Sequence, residues 1–308
     1  MKAVTFSVVV TTYNRVTLLE ACLERLLLHQ VRLPDEVLVV DDGSTDGTAE
    51  LLERLAAIHP VLRCVRQDNA GRAVARNTGI REARGDILCY VDSDVLVVPG
   101  FVSAHRAVHE AAGPARVFAQ GFTRNVPDPR VIDWGRVPRT DPSRAFFDTK
   151  NVSVSREILQ ALGGFDTGFV EYGWEDLEMG VRLKGARYRM VRSPAAFGFH
   201  IQPAFSVESL PRLRRIEEER GRMAARFLDK HPTLDVRLMT QDTVLHRLLD
   251  RIVTLGGRLD EHRVAPHLER LVASGHVELA AQLAQLVLNQ YNLRELAKAR
   301  RARSGAPA

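Results

Sequence analysis

The first hundred residues alternate between short, β-branched apolar runs and segments of helical periodicity, and that alternation restricts the chain to one class of architecture. Phe6 to Thr11, Glu36 to Val40, Val61 to Arg66 and Ile87 to Val91 read as strands, whereas Val16 to His29, Thr45 to Ile58 and Gly71 to Ala83 carry apolar residues at helical spacing. Strands separated by helices predict a mostly parallel sheet flanked by helices, an α/β fold. Ligands on such sheets collect at the carboxyl ends of the strands, and three polar clusters fall there: Thr11-Thr12-Tyr13-Asn14, Asp41-Asp42-Gly43-Ser44 and Asp92-Ser93-Asp94. In the last, an apolar strand runs straight into two carboxylates one residue apart. Ionised carboxylates beside a core are costly unless a cation or hydrogen bonds offset the lost solvation. Oxygen-rich pairs of this kind suit a hard divalent ion with phosphates attached, so a metal and diphosphate site is expected.

The chain of 308 residues is long enough for a large domain plus an appendage. We expect a catalytic α/β domain over 1–206, with nucleotide binding in about 1–120 and the acceptor side in 121–206, followed by a helical region over 207–308. No apolar run approaches the roughly 20 residues of a spanning helix. Lys2 leads directly into a strand without a signal-cleavage pattern, which predicts a cytoplasmic protein. Cys22, Cys64 and Cys89 lie far apart in apolar segments and read as core thiols, neither a disulfide framework nor a zinc motif. The net charge of +5 is thickest after Leu210 but has no basic-aromatic motif beside it. Nucleic acid is therefore not an expected partner, and a phosphate-bearing substrate accounts for the charge.

Periodicity fails from Gly121 to Asp148, where Pro127, Pro129, Pro138 and Pro142 suggest a long loop or lid. Asn151 to Ser155 then reads as a strand, Trp174 to Leu183 as a helix and Tyr188 to Val191 as a strand. Beyond Val207 the apolar positions Leu245, Leu248, Leu249 and Ile252, then Val264, Leu268, Leu271 and Val272, then Leu279, Leu283, Leu286 and Val287, fit amphipathic helices expected to pack on the catalytic domain. These helices offer a surface for homo-oligomer formation. The Arg-rich tail, Arg294 to Arg303, offers one for peripheral contact with an anionic membrane face.

Four strings, Val8-Val9-Val10-Thr11-Thr12-Tyr13-Asn14-Arg15, Val39-Val40-Asp41-Asp42-Gly43-Ser44-Thr45-Asp46, Asn69 to Gly79 and Asp92-Ser93-Asp94, stand in one order and are followed by Trp174-Glu175-Asp176. Together they resemble glycosyltransferase family 2 over about residues 5 to 205. The resemblance implies the GT-A fold and an inverting transferase that moves a sugar from a nucleoside diphosphate, UDP first, to a hydroxyl of a glycan, lipid or small molecule. It also implies Mn²⁺ or Mg²⁺ as cofactor.

The resemblance assigns roles residue by residue. Asp94 binds the metal and Asp92 the donor, in keeping with their place at a strand end. Asp41 accepts the nucleobase N–H, with Thr11 and Tyr13 lining the same pocket. Asp46 reads instead as a helix cap. Arg76, near a helix start, contacts the diphosphate or base through its fork of donors. Asp176 is the general base and Glu175 holds hydroxyls, since single displacement needs one carboxylate to take the acceptor proton. The flat face of Trp174 suits stacking on a sugar, and His200 matches a third metal ligand. Two further readings are an inactive nucleotide-sugar binder or scaffold, and a sugar-phosphate nucleotidylyltransferase. The glycine- and arginine-rich loop of the latter is replaced here by Thr11-Thr12-Tyr13-Asn14.

Overall fold

The computed structural model describes residues 4–113, 115–135 and 146–304, so the expectations for Pro138 and Pro142 lie outside the described residues. The chain divides into two compact units, one of residues 1–167 and 175–203, the other of 168–174 and 204–308.

The first unit runs β1 (Phe6–Thr12), α1 (Val16–Leu27), β2 (Glu36–Asp41), α2 (Thr48–Ala56), β3 (Leu62–Arg66), α3 (Arg72–Glu82), β4 (Ile87–Asp92), β5 (Val95–Val97), α4 (Phe101–Ala112), β6 (Val117–Val126), β7 (Asn151–Ser155), α5 (Arg156–Ala161), α6 (Glu175–Gly185) and β8 (Arg189–Ile201). One sheet of eight strands has the order β3-β2-β1-β4-β7-β6-β8-β5. Its first half is parallel, as the alternation predicts. From β7 onward it is mixed: β7 runs antiparallel to β4 and β6, β8 parallel to β6, and β5 antiparallel to β8.

Successive side chains of a strand point to opposite faces, and the core divides accordingly. Val8, Val10, Val37, Val39, Cys89 and Val91 face α1, α2 and α4, whereas Val9, Leu38, Val40, Leu88 and Tyr90 face α3, α5 and α6. Cys22 and Cys89 are core thiols as expected, but Cys64 is exposed, because β3 is the edge strand of the sheet. Part of the expected lid is regular structure instead, over residues 121–126 and 129–131. Gly121 to Val126 continues β6 past a register shift at Gly121/Phe122, and Pro129 opens a single 3-10 turn.

Helix α3 lies close on the sheet because Gly79 lacks a side chain: a Cβ there would meet Val9 Cγ1 at 2.6 Å. Gly79→Ala is expected to destabilise the protein by about 1–2 kcal/mol, the overpacking cost exceeding the helix propensity that alanine adds. A lower urea midpoint at unchanged slope would show it; an unchanged midpoint would mean that Val9 yields.

The second unit holds α7 (Leu210–Lys230), α8 (Leu234–Met239), α9 (Val244–Val253), α10 (Glu261–Ala273) and α11 (Val277–Ser304). Leu210, Leu268, Ala280, Ala284, Leu288 and Tyr291 form part of its core. A Cβ at Gly221 would meet the Asn292 carbonyl oxygen at 2.3 Å, so α7 and α11 touch backbone to backbone. Helix α9 departs from the amphipathic expectation: Leu245, Leu248, Leu249 and Ile252 are all exposed, while Thr254 is buried.

Candidate active site

Strand register alone gathers the polar clusters. Thr12 stands beside Asp41 across β1 and β2, and Thr11 beside Asp92 across β1 and β4, at the usual strand spacing of about 4.8 Å. The strand order reverses at β1, which is where an open α/β sheet forms its binding crevice.

Within the Asp41-Asp42-Gly43-Ser44-Thr45-Asp46 string only one acid keeps an unused oxygen. Asp42 accepts the N–H groups of Ala70 and Gly71 and the Gln67 amide. Asp46 accepts the Val16 N–H at 2.9 Å and the Thr48 hydroxyl at 2.6 Å, tying α1 to α2. Asp41, by contrast, takes the Ser44 N–H on Oδ1 at 2.9 Å and leaves Oδ2 buried without a hydrogen-bond partner, Arg66 Nε being 3.8 Å away. Buried carboxylate oxygens are rarely left in that state, and a ring N–H is the kind of donor that satisfies one. Thr12 Oγ1 is similarly unpaired, and Tyr13 is half exposed beside it in sequence.

A second cluster joins motifs far apart in the chain. Arg76, buried on α3, donates to Glu175 Oε1 at 2.7 Å and lies 3.8 Å from Asp92 Oδ1. Burial disfavours the guanidinium charge, but Glu175, Asp92 and Asp176 outweigh it and hold the arginine above its ordinary proton affinity. Asp92 is pushed upward by burial, with Asp94 and Asp148 adding and Arg76 opposing. Asp176, at the start of α6, is raised to about 7 by burial first and then by Glu175 and Asp148, against Arg76 and the Leu177 N–H.

Asp148 and Lys150 were not among the expected site residues. Lys150 Nζ lies 2.9 Å from Asp148 Oδ2, and the Asp148 N–H is fixed by Gln120 Oε1 at 2.8 Å. Burial works against the Lys150 charge, yet Asp148, Asp92 and Asp176 hold its proton affinity above the ordinary lysine value. The topology explains their presence. Because β7 runs antiparallel to β4, with Asn151 opposite Val91, the residues just before β7 arrive at the edge where β4 ends.

Asp94 is buried just beyond β4. Arg15 donates to its Oδ2, while Oδ1 is buried, has no hydrogen-bond partner and lies 3.5 Å from His200 Nε2. Pairing of Val95 with His200 across β5 and β8 sets that approach, and the other ring nitrogen sits 2.9 Å from Asn125 Oδ1. Burial would raise the Asp94 carboxyl, but His200 and Arg15 hold it below its usual range. A carboxylate oxygen without a partner facing an imidazole nitrogen is a donor set that fits a divalent cation such as Mn²⁺. Arg15, the last residue of the Val8 to Arg15 string, is a further neighbour of the site that the sequence does not single out. No group of three or more His, Cys, Asp or Glu side chains suited to a metal occurs among the described residues.

Trp174 is held within the second unit. Its indole N–H donates to the Arg220 carbonyl at 2.8 Å, its ring packs 6.0 Å from Phe227, and the residue is only 5% exposed. It anchors the 168–174 segment within the second unit, so its face is not open to stack on a sugar as the sequence suggested.

The arrangement agrees with known proteins. The family described as Glycosyl transferase family 2 matches residues 7–158, and one described as N-terminal domain of galactosyltransferase matches residues 140–203. A validoxylamine A glucosyltransferase from Streptomyces hygroscopicus subsp. jinggangensis (strain 5008) is 32% identical, the similarity covering 74% of this chain and 61% of that protein. An uncharacterized glycosyltransferase, YfnE of Bacillus subtilis (strain 168), is 28% identical over 60% of this chain and 62% of its own length. The chain thus spans about six-tenths of the length of these curated relatives. Among solved structures, a mannosyltransferase from Pyrobaculum calidifontis, in complex with GDP-Man and Mn²⁺, shares the fold with a TM-score of 0.59 at 24% identity, over 97% of this chain and 88% of that one. The 1-349 fragment of S. aureus TarS does so with a TM-score of 0.52 at 18% identity, over 98% and 92%. With its motifs gathered on one edge of a GT-A sheet, this chain belongs to glycosyltransferase family 2.

Proposed function

We propose that this chain is a metal-dependent inverting glycosyltransferase that moves a sugar from a nucleoside diphosphate, UDP by preference, to an acceptor hydroxyl. The observation that carries the reading is the Asp176 carboxyl, raised to about 7 beside the Arg76–Glu175 pair and the acids of β4. A base works best when its proton affinity lies near the working pH.

Each residue then has a task. Asp41 Oδ2 accepts the ring N–H of the base, which suits uracil, while Thr11 and Tyr13 line that pocket. Asp92 holds the donor ribose or sugar. Arg76 holds the Glu175 carboxylate in place through the 2.7 Å contact and lends positive charge toward the diphosphate. Asp176 takes the acceptor proton as the hydroxyl attacks the anomeric carbon, on the side opposite the departing diphosphate, and Glu175 orients hydroxyl groups. Asp94 and His200 would hold Mn²⁺ or Mg²⁺. When bound, the cation offsets charge that builds on the leaving diphosphate. In support, one relative is a glucosyltransferase, and two structural neighbours are complexes with GDP-Man and Mn²⁺ and with UDP, GalNAc and Mn²⁺.

A panel of UDP-, dTDP- and GDP-sugars tests the proposal, read as donor hydrolysis and as calorimetric binding with Mn²⁺ or Mg²⁺ present. Binding of none of them would end it. The pH dependence follows from the Asp176 carboxyl, which must be ionised to act. The rate kcat/KM is expected to fall about tenfold per pH unit below about 7. In Asp148→Asn the like charge is gone and Lys150 loses its partner, so the acid limb is expected to move to lower pH; an unmoved limb would assign that ionisation elsewhere.

A further inference from the structure

Helix α9 turns its apolar side outward. Val244, Leu245, Leu248, Leu249, Ile252 and Leu255 are between 48% and 74% exposed and lie along one stripe. The opposite side of the helix holds the polar groups. Thr254 is buried, and Asp250 has a buried oxygen with no hydrogen-bond partner. Asp242, just before the helix, is buried between Arg247 and Arg300. Contiguous exposed apolar surface of this kind marks an interaction site.

The charge beside the stripe says what covers it. Between Val236 and Leu259 both carboxylates, Asp242 and Asp250, are turned inward, whereas Arg237, Arg247, Arg251 and Arg258 are all exposed. Arg247 and Arg251 border the stripe on one side of the helical wheel. An apolar stripe edged by arginines is the composition of a helix that lies in the plane of a bilayer interface. Arginine stems add apolar contact there while their heads reach lipid phosphates. A second copy of the chain fits less well. A helix of ten residues is about 15 Å long and about 10 Å wide, a face of about 150 Å², far short of the ~800 Å² per partner in a standard interface. An antiparallel pair would also set the two arginine borders against each other.

We propose that the outer face of α9 docks on an anionic lipid surface. No helix of the described residues is long and apolar enough to cross a membrane, so the contact is peripheral. It is centred on α9 rather than on the Arg294 to Arg303 tail that the sequence suggested.

Flotation of the full chain with phosphatidylcholine vesicles, with and without phosphatidylglycerol, tests this without reference to sugar transfer. Binding is expected to the anionic vesicles, to weaken with salt, and to drop about tenfold or more in Leu249→Glu, which loses a side chain from the hydrocarbon boundary. The double variant Arg251→Glu/Arg258→Glu leaves the apolar stripe intact and is expected to lose the preference for phosphatidylglycerol; thermal melting checks that both variants fold. Equal binding to neutral vesicles, binding to neither, or unchanged binding in both variants would overturn the proposal. So would a dimer seen by light scattering that Leu249→Glu disperses, which would assign the stripe to a second copy.

Discussion

Replacing Asp176 by Asn is expected to lower sugar transfer by roughly 10²- to 10⁴-fold, the contribution of a positioned general base, with donor binding nearly unchanged. The variant keeps the shape of the side chain and removes only its capacity to take a proton, so binding and chemistry separate. Stability should move the other way. The folded-state proton affinity of Asp176 is raised to about 7, so between the ordinary carboxylate range and pH 7 the folded protein holds a proton that the unfolded chain has released. Its contribution to stability therefore falls as pH rises through that window. At neutral pH and above, Asp176→Asn is expected to melt at a higher temperature than the parent, the usual sign of an active-site group held against its preference. Equal loss of donor binding and transfer, measured by calorimetry and product formation, would remove Asp176 from the base role.

The second large effect is expected at Asp94. Asp94→Ala removes the buried carboxylate whose Oδ1, without a hydrogen-bond partner, lies 3.5 Å from His200 Nε2. Transfer should fall by about 10²- to 10³-fold, comparable to losing a preorganised electrostatic stabiliser. Mn²⁺ should no longer tighten UDP binding, and Mn²⁺ titration followed by electron paramagnetic resonance should show the site lost. Treatment of the parent protein with a chelator should reproduce the loss, reversibly. Because His200 and Arg15 hold the Asp94 carboxyl below its usual range, it stays ionised as pH falls to about 5, and its role should show no titration there. Undiminished Mn²⁺ binding by Asp94→Ala would move the metal to other ligands.

The half of the fold that is parallel was legible because each element is local. β1, β2 and β4 were read to within one residue at their ends, and α1, α2 and α3 to within three. Their apolar spacing is set by burial on a sheet covered on both faces. The mixed half was not, because its pairings join residues remote in sequence. Strand β6 looks like loop in the sequence where Gly121 breaks its alternation, yet a Cβ at that position would meet Asn151 Oδ1 at 2.1 Å and the Ala196 carbonyl oxygen at 2.4 Å. The interruption that disguised the strand is thus required by neighbours about 30 and 75 residues away. Strand β8 was cut short at Val191 for a related reason, since Pro194 stands in its middle.

The same distinction holds for the site. The acids at the ends of β2 and β4, and Thr11 to Asn14 at the end of β1, announce themselves because the chain order places them on one edge. Asp148 and Lys150 arrive there only through the antiparallel pairing of β7, which no local pattern encodes. Trp174 misled for the opposite reason. It adjoins Glu175 in sequence, but a left-handed backbone at φ 77° turns the indole away into Phe227.

The Arg76–Glu175 contact limits how this protein can be recombined. Arg76 comes from the nucleotide motif and Glu175 from the acid motif 99 residues later, and each is the counter-ion of the other in a buried setting. A chimera joining the segment that carries Arg76 to a foreign segment in place of that carrying Glu175 would leave the buried guanidinium with Asp92 at 3.8 Å and without its hydrogen-bonded partner, at a cost of up to about 3–5 kcal/mol for breaking such a pair. The two segments are therefore not separable modules, and swaps between homologues should be drawn to keep residues 76 and 175 from the same parent.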